Sequence, residues 1–532
     1  MKKYNVKHNM GHIVMISLIV ALGGFLMGFD ASVISGVVKF IEPEFDLTKL
    51  ELGWAVSSLT LTATLAMMIA GPLSDRLGRK RVLSIAAVFY ALSAVLSAIA
   101  PTFVFLVLAR MLGGFGVGAS LIIAPMYIAE IAPPKIRGTM VSFNQLNIVI
   151  GISAAFFTNY LILKFGQWDA EWTKVLKLDI YNWRWMLGLE AIPAIIYFVA
   201  LFVVPRSPRW LIMKGKEEEA LLIMKKASGE EYAVKDFEAV KQSLVSDTNK
   251  KKVSLKEIFS PALRTVLTIG IVLAILQQLT GINSVFFYAP MIFEQSGLGV
   301  DASFSQAIYV GLTNLVFTIL AMFLIDKIGR KPLLIIGVAG IAISMFVLSY
   351  GFNSATYTLT NETIVSFSPA ISAEKLESIK DIEYTSDVDF KVALKEVLGA
   401  ETSGKFESEI LPKAIHLNSI LILVAILAFV ASFAVSIGPV MWVMFSELFP
   451  NRLRAIAISF VGFINSVVSF LVQLVFPWEL TNLGTAPTFL IYGLFAAFGL
   501  FYILAKVPET KGKSLEELQT MFIKKPKRIN NV

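Results

Sequence analysis

Six side-chain amides, Gln145, Gln277, Gln278, Asn283, Asn314 and Asn465, lie in stretches otherwise built from apolar residues. An amide in hydrocarbon is costly unless protein, water or a ligand pairs with it. Amides donate and accept as hydroxyls do, so a ring of them can replace the hydration shell of a neutral, hydroxyl-rich ligand without adding net charge. Aromatic faces would cover the C–H side of such a ligand, and Trp442, Phe25, Phe287 and Tyr288 are the candidates. For any single amide the alternative is an interhelical hydrogen bond. A second chemistry belongs to Asp30, well inside the apolar run Gly28-Phe29-Asp30-Ala31-Ser32. An ionised carboxylate there costs about 2.5–3.5 kcal/mol on insertion scales, so something must offset it. Glu190 reads either as a second acid or as a helix-packing partner.

These residues need a membrane around them. Of 532 residues 56% are hydrophobic and 16% charged, with a mean hydropathy of +0.71, too apolar for a soluble chain of this size. A span takes roughly 20 apolar residues, because its backbone groups must pair within the segment. Twelve such stretches are expected, near Ile13–Gly36, Leu52–Pro72, Val82–Ala100, Phe103–Ile128, Met140–Leu163, Trp185–Val204, Leu263–Phe293, Phe304–Ile325, Leu333–Gly351, Ile415–Phe445, Ala455–Leu474 and Phe489–Ala505. Cysteine is absent, which excludes disulfides and cysteine-held metals. No nucleophile, metal constellation or phosphate loop is evident, so neither an enzyme nor a cofactor is expected. Gly113, Gly114, Gly116 and Gly118 imitate a dinucleotide loop, but they sit inside an apolar helix and read as close helix packing.

Orientation follows from the basic residues of the short loops. With the N-terminus cytoplasmic, the inner short loops carry eleven of them, among them Arg76, Lys80, Lys135, Lys327 and Arg452, against five outside. Both termini are therefore expected in the cytoplasm. This bias and the tail Lys524, Lys525, Lys527 and Arg528 explain the net charge of +8 without a nucleic-acid partner, and the tail suits contact with anionic membrane lipid. Two longer loops interrupt the pattern. Residues 206–262 contain Glu217–Lys226 and Tyr232–Leu244 with helical spacing and form a cytoplasmic linker. Residues 352–413 carry eleven acidic residues against six lysines and read as a solvated outer insertion, with a binding module as the alternative.

The chain repeats itself. Asp75-Arg76-Leu77-Gly78-Arg79-Lys80 returns 251 residues later as Asp326-Lys327-Ile328-Gly329-Arg330-Lys331. Glu130, Pro133 and Arg137 return 317 residues later as Glu447, Pro450 and Arg454. The two displacements differ by about the length of the outer insertion, so one duplication and one insertion account for both. Six helices plus six, with a substrate near the midplane, is an established transporter architecture. The charges Asp75, Arg79, Glu130, Arg137, Asp326, Arg330, Glu447 and Arg454 can form a cytoplasmic gate of weak surface pairs, each contributing a few tenths of a kcal/mol to about one. Topology-setting charge is the simpler alternative.

These motifs, with Gly71-Pro72-Leu73-Ser74, Pro125-Met126-Tyr127-Ile128-Ala129-Glu130, Gln277-Gln278-Leu279-Thr280-Gly281-Ile282-Asn283 and Pro508-Glu509-Thr510-Lys511-Gly512, resemble the sugar porter family of the major facilitator superfamily over nearly the whole chain. The resemblance extends to bacterial proton-coupled xylose and galactose symporters and to glucose facilitators. It implies an all-α membrane protein of two pseudo-symmetric six-helix bundles. The expected domains are 1–205, the linker 206–262, 263–506 with its insertion, and a tail at 507–532. By the same resemblance, Gln145, Gln277, Gln278, Asn283, Asn314 and Trp442 match sugar contacts. Arg110 is the implied partner of Asp30, an acid that proton-coupled members typically carry where glucose facilitators have an amide. The implied activity is monosaccharide:proton symport by a monomer in the plasma membrane, the inner membrane if bacterial. A uniporter and a membrane sugar sensor are the alternatives. Two departures stand out: Arg206 occupies a usually acidic position, and Ser466 and Ser469 replace a Trp and an Asn in the eleventh segment.

One geometric obstacle remains. On a straight helix at about 100° per residue, Gln278 and Asn283 point roughly 140° apart. A break at Thr280-Gly281 would bring both amides to one side. Gly438-Pro439 suggests a matching hinge just before Trp442.

Overall fold

Uniformly apolar sequence makes the long helices, and proline and glycine interrupt them. The computed structural model describes residues 10–133, 136–228, 230–248, 255–261, 263–367, 371–450 and 452–512. Lys135 and the tail residues Lys524, Lys525, Lys527 and Arg528 lie outside these. Among the described residues twelve helical spans are long and apolar enough to cross a membrane: Gly11–Gly36, Lys49–Leu77, Arg79–Ala98, Phe103–Ile131, Arg137–Gly166, Asn182–Ala200, Arg264–Glu294, Val300–Ile328, Arg330–Asn353, Ser419–Leu448, Arg454–Asn482 and Thr485–Lys506.

The chain divides into two compact units. The first comprises Met1–Val38 and Ala55–Lys252, and the second Lys39–Trp54 and Val253–Val532. In the first, glycines bring backbones together: a Cβ on Gly28 would stand 2.0 Å from the carbonyl oxygen of Ile148, and one on Gly118 would stand 2.2 Å from that of Ala63. The first span thus lies against the fifth and the second against the fourth, and the Gly113–Gly118 cluster packs helices. The linker helices Glu217–Ser228 and Glu230–Thr248 belong to this unit and share a small core of Trp210, Leu211, Ala220 and Phe237.

Three spans are broken, the sixth and tenth three or four residues before a proline and the seventh at a glycine. The sixth splits into Asn182–Gly188 and Ala191–Ala200 ahead of Pro193, which leaves Glu190 in the break. The tenth splits at Ser436 (φ −126°, ψ −104°) into Ser419–Val435 and Ile437–Leu448. That is upstream of the hinge expected at Gly438-Pro439, because the proline ring evicts the carbonyl four residues before it, that of Val435. In the seventh, Arg264–Leu279 and Ile282–Glu294 are separated by Thr280 and by Gly281 in the left-handed region (φ +85°), and Tyr288 is non-helical ahead of Pro290.

The insertion is a folded module within the second unit. Strand β1 (Thr356–Tyr357) pairs antiparallel with β2 (Ile415–His416) and closes its base. Helices Asp387–Leu398 and Ala400–Ala414 flank a core that includes Tyr357, Leu359, Leu376, Phe390, Leu394 and Ile410. Ile415 therefore lies in a strand and not at the start of the tenth span, which begins at Ser419 with the Asn418 side chain accepting from the Leu421 N–H.

Candidate functional site

In the second unit the break at Gly281 turns the amides toward one another. Asn283 Nδ2 donates to Gln278 Oε1 at 2.7 Å and to Ser469 Oγ at 2.6 Å. Gln278 Nε2 donates to Asn465 Oδ1 (3.1 Å) and to Gln277 Oε1 (3.3 Å). Asn465 Nδ2 reaches Gln277 Oε1 and the Ala274 carbonyl, both at 2.9 Å, and Gln277 Nε2 reaches the carbonyls of Ile437 and Gly438 at the break of the tenth span. Ser469 also accepts from Gln473. Four of the six candidate amides thus form one polar network on the seventh and eleventh spans. Ser469, noted only as a departure, and Gln473, which sequence reasoning missed, complete it. Both follow Asn465 at helical spacing, and that spacing was the available signal.

The remaining candidates are less closely tied to this network. Asn314 is buried in the eighth span. Trp442 is 44% exposed beyond the tenth-span break and packs edge-on to Phe445. Tyr288 is fully buried and its hydroxyl donates to the Gln473 carbonyl, so it supports the network from behind, and Phe287 is buried beside it. Gln145, exposed, and Phe25, half-buried against Phe29, belong to the first unit.

The acid site lies within the first unit. Asp30 and Arg110 are each 1% exposed, and Arg110 Nη1 stands 3.5 Å from Asp30 Oδ1. The same guanidinium donates to the Ala55 carbonyl at 3.1 Å and to the Asp30 carbonyl at 3.5 Å. Asp30 Oδ2 has no hydrogen-bond partner among the described residues and faces the bare side of Gly113, where a Cβ would stand 2.7 Å from it. Glu190, 2% exposed in the break of the sixth span, is near enough to interact electrostatically with both Asp30 and Arg110. The arrangement can take up a proton: a buried carboxylate, loosely paired, with one oxygen open.

The repeated charges close two similar clusters, one in each unit. Arg79 binds Glu130 through Nε and Nη2 (3.0–3.2 Å) and Asp75 through Nη1 (2.8 Å), and Ser207 donates a hydroxyl to Glu130. Arg330 binds Glu447 through Nε and Nη2 (3.2 and 2.9 Å) and Asp326 through Nη1 (3.0 Å), and Thr510 donates to Glu447. Glu509 accepts from the N–H groups of Arg330 and Lys331. Burial opposes ionisation of Glu509, but backbone N–H donors outweigh it and hold the carboxyl below its usual range. Arg137, exposed, and Arg454, which donates to the Phe449 carbonyl, lie outside these ion pairs. Arg206 pairs with Glu219 on the linker (3.5 Å).

The chain is similar to known transporters over nearly its whole length. The family described as "Sugar (and other) transporter" matches residues 16–370 and 406–522. The arabinose-proton symporter of Bacillus subtilis (strain 168) is 34% identical over 518 residues, covering 97% of this chain and 96% of that one. The D-xylose-proton symporter of Escherichia coli (strain K12) is 34% identical over 554 residues, 97% of each chain. Among solved structures, the proton:xylose symporter XylE bound to 6-bromo-6-deoxy-D-glucose superposes with a TM-score of 0.69 at 32% identity, over 97% of this chain and all of that one. With its twelve spans, its two charge-locked repeats and this full-length similarity, the chain belongs to the sugar transporter family of the major facilitator superfamily.

Proposed function

We propose that this protein is a multi-pass transporter, not an enzyme, that carries a neutral pentose or hexose together with a proton by alternating access, with both termini in the cytoplasm of a bacterial inner membrane. The relatives named as arabinose- and xylose-proton symporters support sugar and proton as its substrates. The sugar's hydroxyls replace bonds within the network of Gln277, Gln278, Asn283 and Asn465, with Trp442 against its apolar face. Asn314, and from the first unit Gln145 and Phe25, are further proposed contacts.

The observation that carries proton coupling is the open Oδ2 of Asp30 beside Arg110. A proton there neutralises the carboxylate and weakens its hold on the guanidinium, which keeps its bond to Ala55. A helix movement that changes their separation changes the proton affinity in turn. Proton release and sugar release are coupled in this way, and Glu190 acts as a second acid on the same arginine. The test is uptake into proteoliposomes under an imposed pH gradient, compared with counterflow. Asp30→Asn should abolish accumulation and leave counterflow intact. Accumulation that survives in Asp30→Asn removes Asp30 from the mechanism, and wild-type uptake that does not raise external pH makes the protein a uniporter.

A further inference from the structure

The break in the seventh span needs something to hold its two halves at a fixed angle, because the left-handed Gly281 supplies a bend and no restraint. A ring from the twelfth span fills that place. A Cβ added to Gly281 would stand 2.5 Å from Cδ2 and 2.8 Å from Cε2 of Tyr492, so the ring sits in the notch that the missing side chain leaves. Tyr492 is 3% exposed and stacks on Phe476 of the eleventh span, which packs in turn against Tyr288. Its hydroxyl lies 3.3 Å from Ser284 Oγ, one residue beyond Asn283, and donates to Glu479 Oε2 at 2.8 Å. With that proton committed to Glu479, the Ser284 hydroxyl is the donor to Tyr492.

Glu479 is a half-buried acid within the eleventh span. It sits in the last turn of that span, beyond the apolar stretch, with its carboxyl partly withdrawn from solvent. A hydrogen bond to a charged acceptor is about twice as strong as a neutral one. The chain Glu479–Tyr492–Ser284 therefore ties three spans together at the hinge between Gln278 and Asn283.

We propose that Tyr492 and Glu479 are positioning residues for sugar binding, a strut that fixes the seventh-span break and with it the spacing of the two amides. Neither touches the sugar. The inference rests on the amide network being the sugar site and is independent of the role of Asp30.

The experiment uses the purified full-length protein, with whichever of D-xylose, L-arabinose and D-glucose binds the wild type tightest as the probe. Tyr492→Phe keeps the ring and loses the hydroxyl, and Glu479→Ala removes the acceptor. Each should raise the Kd roughly three- to tenfold, the size of one lost hydrogen bond, and the double variant should be no worse than either single one. Glu479→Gln retains an acceptor oxygen without the charge and should fall between wild type and Glu479→Ala. A strut of purely structural value would instead lower the Tm with Kd unchanged. If Gln278→Ala weakens binding while Tyr492→Phe and Glu479→Ala do not, the strut is overturned and the sugar site stands. If Gln278→Ala and Asn283→Ala both leave binding unchanged, the site itself falls and the strut falls with it. Additive losses in the double variant would also overturn it, because the two residues would then act separately.

Discussion

At the scale of single residues, the amide network keeps four polar side chains paired in an apolar interior. With no sugar present the amides satisfy one another, so none carries the full desolvation penalty of a lone buried amide. In the proposed function, a sugar would exchange those bonds for its own hydroxyls and leave their number nearly constant. Ser469 accepts hydrogen bonds from both Asn283 and Gln473 and so joins the network with a short side chain. Replacing Gln278 or Asn283 by Ala should weaken sugar binding by about 1–3 kcal/mol while the protein still inserts and folds. Calorimetry on the purified variants measures this, and unchanged affinity in both would make the amides structural.

At the scale of elements, the repeated loops form two clusters of unequal burial. Arg79 and Glu130 are 5% and 8% exposed, whereas Arg330 and Glu447 are 13% and 21% exposed. Removing one partner of a buried pair strands the other charge, at a cost of about 3–5 kcal/mol, and solvent reaching a partly exposed pair lowers that cost. Arg79→Ala should therefore lower the Tm of detergent-purified protein clearly more than Arg330→Ala. Equal shifts would mean that both clusters are solvated alike. Both variants should also slow net transport far more than they weaken sugar binding from outside, as expected of a lock that shifts populations. Arg137 lies outside the ion pairs, and Arg137→Ala serves as the comparison.

At the scale of the whole molecule, the insertion is bound to the second unit by charge as well as by its strand pair. Glu407 lies 3.2 Å from Lys391 and 3.8 Å from Lys49, and Lys49 also holds Glu42 at 2.5 Å. Asp387 accepts from the N–H of Thr485 at the start of the twelfth span, and the Thr485 hydroxyl proton is shared between Gln295 Oε1 (2.7 Å) and Asp387 Oδ2 (3.1 Å). Burial alone would raise the pKa of Glu407, but the two lysines outweigh it and hold the carboxyl at about 2, against 4.5 for a free glutamate. A depressed pKa stabilises the fold above pH 4.5 and loses that contribution as pH falls toward 2. Wild type should therefore resist proteolysis of the insertion better than Glu407→Gln at pH 6, with the advantage shrinking below pH 4.5 and gone near pH 2. A difference that does not change with pH would rule out this network as the tether.

Hydropathy alone placed the spans, because a helix in lipid must be apolar around its whole circumference and that pattern survives without any knowledge of neighbours. The duplicated Asp75–Lys80 and Asp326–Lys331 loops likewise gave away the two halves, and the run from Gln277 to Asn283 marked a break in the seventh span before the torsion of Gly281 was known. Partner choice was a different matter. Sequence spacing left Arg137 and Arg454 as candidates equal to Arg79 and Arg330, and only the packed bundles brought Glu130 to Arg79 and Glu447 to Arg330. The fold of residues 352–413, the role of Gln473 and the seating of Tyr492 against Gly281 were also hidden. Each depends on contacts between residues far apart in the chain, where helical periodicity carries no information and only the tertiary structure decides which side chains meet.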